Sequence, residues 1–155
     1  MSSAEQKAVT KQRPGDFWDR YLAAGRPNTP IQDLFELALD MDFAIRARVA
    51  QNPAAPPQLM LILLADPEAE VRIGLAENSK APFFILQRLV IDEDVHVRYD
   101  MADNRHMPEI LLRRLMDDDN PYVALRAART VNMLYPSQPE LLFLPGLCET
   151  ALVMA

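Results

Sequence analysis

Cys148 is the sole cysteine, so the chain holds no internal disulfide and no cysteine-based metal cage. A reducing compartment is the natural expectation. Histidine is nearly as scarce. His96 and His106 are ten residues apart and lack metal-ligand spacing. Four glycines leave no glycine-rich loop to cradle a phosphate. No serine or cysteine sits in a nucleophile motif, and no carboxylates are picked out as a catalytic pair by spacing. Catalytic residues, metal ligands and cofactors are therefore not expected. No apolar run reaches the ~20 residues of a membrane helix. The N-terminus also lacks an apolar signal-peptide core, so a cytoplasmic protein with no membrane partner is expected.

What is present points to a globular chain. Half of the 155 residues are hydrophobic and a quarter are charged. The formal net charge of −6 argues against a general nucleic-acid coat, whose affinity comes from phosphate neutralisation. Thirteen prolines against four glycines is an unusual balance. Part of its cause is a repeat.

The repeat has a fixed offset of 26. Ala50, Ala76, Ala102 and Ala128 fall in register, as do Asn52, Asn78 and Asn104. Pro30, Pro56, Pro82 and Pro108 do the same, and so do Asp40, Asp66, Asp92 and Asp118. Leu37, Leu63, Leu89 and Leu115 share the spacing with Ile45, Val71, Val97 and Val123. Arg46, Arg72 and Arg98 follow the aliphatic residue in three copies. A period of this size means stacked units that complete one another's cores. The expected fold is all-α, a solenoid of about four 26-residue helical repeats with capping helices.

Along the chain, 1–14 reads as a flexible tail, 15–134 as the repeat region and 135–155 as a C-terminal cap. Asp16 is a candidate N-cap for a first helix through F-W-D-R-Y-L-A-A, with Phe17, Tyr21 and Leu22 on one face and Gly25 at its end. Thr29 is expected to cap the next helix, with Pro30 at its first position. Pro56, Pro82 and Pro108 have the same role. Each of these helices is expected to run ~10–11 residues, about three turns, and to close near the register aspartate. The segments between them read as shorter, two-turn helices, partly 3₁₀. The register decays from Tyr135, and the C-terminus is apolar through Leu147, Leu152, Val153 and Met154. Either it folds back as a cap, or it is a contact surface that makes a homo-oligomer.

The unit V-R-x-x-L-A-x-N-x-x-x-P-x-x-L-L-x-x-L-x-x-D resembles the leucine-rich repeat variant, a bacterial solenoid family, over roughly residues 20–134. The resemblance implies alternating α- and 3₁₀-type helices in a right-handed superhelix that serves as a binding scaffold and supplies no reaction. The family's usual unit is slightly shorter than 26, and the longer unit leans toward HEAT-like helix pairs. Some relatives carry a cysteine-rich iron–sulfur segment. This chain has no such cysteines, so no cluster is carried over.

Two readings stand for the register charges. Arg46, Arg72 and Arg98 with Asp66, Asp92 and Asp118 form either a charged binding strip or an inter-repeat ladder, in which each arginine satisfies a carboxylate and turn carbonyls. Asn52, Asn78 and Asn104 read as side chains that satisfy backbone groups in turns. The varying positions carry more information about binding. Gln87 and Arg88 line up with Arg113 and Arg114, where an earlier copy has Leu61 and Ile62. Arg126 and Arg129 extend this small basic wall. The alternative is a set of solvated helix faces. Trp18, Phe43, Phe83, Phe84, Tyr99 and Tyr122 are the aromatics to follow. Phe83 and Phe84, being adjacent on a helix, cannot both face the core. The expected function is non-catalytic protein binding to an unidentified partner, with nucleic-acid binding along the basic wall as the alternative.

Overall fold

The computed structural model describes residues 16–136. The expected tail at 1–14, the cap from 137 onward and the side chain of Asp16 lie outside the described residues. Every regular element among the described residues is a helix. In order these are α1 (Asp16–Gly25), α2 (Ile31–Leu37), α3 (Phe43–Ala50), α4 (Pro57–Leu63), α5 (Ala69–Glu77), α6 (Phe83–Leu89), α7 (Val95–Asp103), α8 (Glu109–Leu115) and α9 (Pro121–Leu134). None of them is long and apolar enough to cross a membrane. The chain divides into two compact units, Met1–Leu86 and Gln87–Ala155.

In the first unit α3 packs chiefly against α5, and then against α1; α2 and α4 lie against α3, and α4 also against α5. In the second unit α9 packs against both α7 and α8. The register residues supply the interior. Ile45, Val71, Val97 and Val123 are fully buried, and Ala50, Ala76 and Ala102 are nearly so. Leu63, Leu89 and Leu115 are buried with them, whereas Leu37 is half-buried. Fully burying a large apolar side chain stabilises by about 1.5–3 kcal/mol; α3 to α9 each contribute two or three such residues, α2 contributes Leu34 alone and α1 only the smaller Ala24.

The relative lengths differ from expectation. The proline-led helices α2, α4, α6 and α8 are the short ones, at 7 residues each. The intervening helices α3, α5 and α7 run 8–9 residues and are α-helical, not 3₁₀. The cause is the closing turn. After α4 the amides of Ala65 and Asp66 donate to the carbonyls three residues back, Ile62 and Leu63. Such i→i−3 bonds tighten the last turn and end the helix. The same turn follows α2 and α8.

Each turn is then fixed by its aspartate. The Oδ1 of Asp40, Asp66, Asp92 and Asp118 accepts the amide two residues on, at 2.9–3.0 Å. Asp42, Asp94 and Asn120 next cap α3, α7 and α9 with their side chains. The prolines are N-caps, one position before that expected. Pro30, Pro56 and Pro108 have extended backbones, and their carbonyls accept the first helical bonds. Thr29 does not cap α2; its hydroxyl donates to the Ala23 carbonyl. Leu22 leaves the face expected of it, being 53 % exposed beside a 67 % exposed Trp18.

Glycine has a steric role at two positions. A Cβ on Gly25 would collide with the Arg48 guanidinium. One on Gly74 would lie 2.8 Å from the Ala47 carbonyl oxygen and 3.0 Å from the Ala50 Cβ.

Candidate functional site

The register arginines are bound internally. Arg46, on α3, donates from Nε to Asp66 Oδ2 at 2.7 Å and from Nη2 to Oδ1 at 3.0 Å. Its Nη1 donates to the Asp40 carbonyl at 2.8 Å. Arg98 repeats the pattern with Asp118, at 2.7 and 3.2 Å, and with the Asp92 carbonyl at 2.6 Å. Arg72 donates to the Asp66 carbonyl at 2.6 Å. Each arginine thus clamps a turn. Arg20 makes a further rung with Asp40 at 2.7 Å. Its signal was present in the sequence, since Arg20 stands 26 residues before Arg46.

These contacts shift ionisation. The hydrogen bond to Asp66 raises the Arg46 pKa against the effect of burial, and Asp118 does the same for Arg98. Burial pushes the Asp118 carboxyl up, but the bonds from Arg98 and the Asn120 amide outweigh it and hold the group below the usual carboxylate value.

The register asparagines sit in the turns that follow α3, α5 and α7. Asn52 Nδ2 donates to the carbonyls of Ala24 (2.7 Å) and Arg26 (2.9 Å), while its Oδ1 accepts the Ala54 amide. Asn78 does likewise with Ala50 and Asn52, at 2.7 and 2.8 Å, and with the Lys80 amide. Asn104 accepts the His106 amide. Only a group with two donors and an acceptor can serve all three backbone partners at once.

The varying wall is different. Gln87 and Arg88 on α6, and Arg114 on α8, are exposed. Arg88 and Arg114 have no ion pair among the described residues. Arg113 does, with Glu109 one turn earlier at 2.6 Å. Arg126 pairs with Asp103 and so does not extend a free basic surface. Arg129 is exposed. Phe83 and Phe84 are each 45 % exposed, so both side chains present ring surface to solvent.

Sequence reading missed a cleft in the second unit. It encloses about 450 Å³ and is lined by Val90, Ile91 and Asp92 after α6, Arg98 on α7, Arg114 on α8 and the run Asp117–Asp119. Its residues come from three elements, so no local pattern marks it. Arg98 and Asp118 are engaged with each other there, which leaves Arg114 as its accessible cation. No group of three or more His, Cys, Asp or Glu among the described residues is arranged to hold a metal.

No family model, curated protein or solved structure matches this chain.

Proposed function

We propose that this chain is a non-catalytic protein-binding scaffold, an adaptor, regulator or inhibitor-type partner. The fold is read as a right-handed α-solenoid of about four 26-residue repeats, of the kind the resemblance to the leucine-rich repeat variant implies. The binding surface is the wall of proline-led helices in the second unit, with Gln87, Arg88 and Arg114 at its centre and Arg113 at its edge. A preformed helical surface engages a partner with little ordering cost.

One observation carries the reading. Register charges are bound to the frame, as in Arg46–Asp66 and Arg98–Asp118, while Arg88 and Arg114, at matching positions one repeat apart, have no ion pair among the described residues. A guanidinium held on a rigid helix and left unpaired suits a carboxylate of a partner.

The test is capture of a partner by the full chain from lysate of the source cells, with and without nuclease, using wild type and Arg88→Glu/Arg114→Glu. A protein that survives nuclease and is lost in the variant supports the reading. Recovery of nucleic acid that is lost in the variant, with affinity falling steeply as salt rises, replaces it with phosphate binding. Capture unchanged in the variant moves the surface elsewhere.

A further inference from the structure

Within each unit the helices that alternate with the proline-led ones stack on one another, α1 on α3 and α3 on α5 in the first and α7 on α9 in the second, and the contacts define two faces. Gly74 of α5 lies against Ala47 and Ala50 of α3 and against Gln51 at its C-cap. Arg48 of α3 lies over the Tyr21 ring of α1, 5.6 Å from its centroid, and against Gly25. Arg126 of α9 pairs with Asp103 of α7. Arg48, Gly74 and Arg126 share one register position, and each faces the preceding helix. Tyr21 and Ala47 share another position that faces the following helix. Ala50 does so one turn later, as do Gly25, Gln51 and Asp103.

Applied to the first and last described members of the series, this rule leaves two faces without a partner helix among the described residues. In α1 the residue that faces a predecessor is Leu22, 53 % exposed, with Trp18 one turn before it at 67 %. In α9 the residues that face a successor are Leu125, 48 % exposed, the half-buried Ala128 and the exposed Arg129. A face that stays in solvent needs polar residues. Instead, where the later copies carry Arg48, Gly74, Asp100 and Arg126, the first carries leucine.

We infer that these faces meet between molecules: α9 of one copy stacks on α1 of another. Leu22 then lies over Leu125 and Ala128, as Gly74 lies over Ala47 and Ala50 within the chain. The contact continues an interface the molecule already uses. It joins unlike surfaces, so it is head-to-tail rather than two-fold, and leads to rings or short filaments. The inference rests on the repeat reading of the fold and not on partner binding at Arg88 and Arg114. One helix face is a small interface, so association is weak.

Sedimentation of the full chain from low to high micromolar concentration tests it. Wild type is expected to associate reversibly. Leu22→Glu and Leu125→Glu each weaken association at least tenfold without moving the unfolding midpoint, since both side chains lie half in solvent. The decisive arm is an equimolar mixture of the two variants. Each keeps the face the other has lost, so the mixture forms a 1:1 dimer and stops there. A wild type that stays monomeric across that range overturns the proposal. Association that survives both variants, or a mixture that stays monomeric, overturns it as well. The repeat reading fails separately, if Gly74→Val leaves stability unchanged. The partner reading is independent, because Arg88→Glu/Arg114→Glu leaves self-association intact.

Discussion

Arg46 and Asp66, twenty residues apart, share two hydrogen bonds, and the arginine's third arm holds the carbonyl of Asp40. The two side chains are 12 % and 7 % exposed. One guanidinium therefore closes two successive aspartate turns. Asp66→Ala leaves a largely buried cation without its carboxylate. The expected cost is roughly 1.5–3 kcal/mol, the range for hydrogen bonds to charged groups. Urea unfolding of Arg46→Ala, Asp66→Ala and the double variant checks this. The double variant is expected to lose clearly less than the sum of the singles.

Asn78 anchors a turn by donating to two carbonyls and accepting one amide, and it is 5 % exposed. Asn78→Ala is expected to destabilise by roughly 2–4 kcal/mol, because two buried carbonyls and the part-buried Lys80 amide each lose a hydrogen bond. Asn78→Asp is expected to be worse near neutral pH. A carboxylate cannot donate, and it would point negative charge at two carbonyl oxygens. Thermal unfolding of the two variants side by side gives the order.

Gly74→Val sets two effects against each other. Replacing a helical glycine gains up to about 1 kcal/mol in backbone terms with alanine, and less with a β-branched residue. The added Cβ would lie 2.8 Å from a backbone oxygen that cannot swing away. Overpacking costs typically 1–3 kcal/mol, so the clash wins. A lower unfolding midpoint is the expected outcome.

The pH dependence follows from Asp118, whose folded pKa is lowered by Arg98 and the Asn120 amide despite its burial. A carboxyl with a depressed folded pKa stabilises fully above its unfolded value and loses that stability as pH falls through the folded one. The loss therefore begins below about pH 4. Arg98 shifts upward, and its contribution is lost only at alkaline pH beyond the working range. Asp118→Asn is expected to be less stable than wild type at pH 7 and to lose less further stability between pH 5 and pH 2, as followed by circular dichroism.

How much of this could be read in the sequence depends on the range of each interaction. Side chains at Ile45, Val71, Val97 and Val123 are interior because one spacing repeats them, and periodicity shows that directly. The aspartate turns were legible for the same reason. Helix lengths were not, because they depend on whether the amides of residues such as Ala65 and Asp66 bond three or four residues back, and both fit the same pattern. The capping role given to Thr29 failed to a competing local acceptor, the Ala23 carbonyl. The basic wall was legible only as composition. Whether Arg113, Arg114 and Arg126 are free depends on Glu109 and Asp103, and only Glu109 is close in sequence. The cleft beside Arg114 joins three elements and left no local trace.

The central claim is a division of labour: register side chains hold the frame, and the varying helix wall binds. The most direct test measures unfolding midpoint and partner capture together for Asn78→Ala and for Arg88→Glu/Arg114→Glu. The account predicts separation. Asn78→Ala lowers the midpoint and, at a temperature where it stays folded, retains the partner, while the arginine variant keeps the midpoint and loses the partner. A stable Asn78→Ala chain that loses its partner, or an arginine variant that unfolds early, would contradict it.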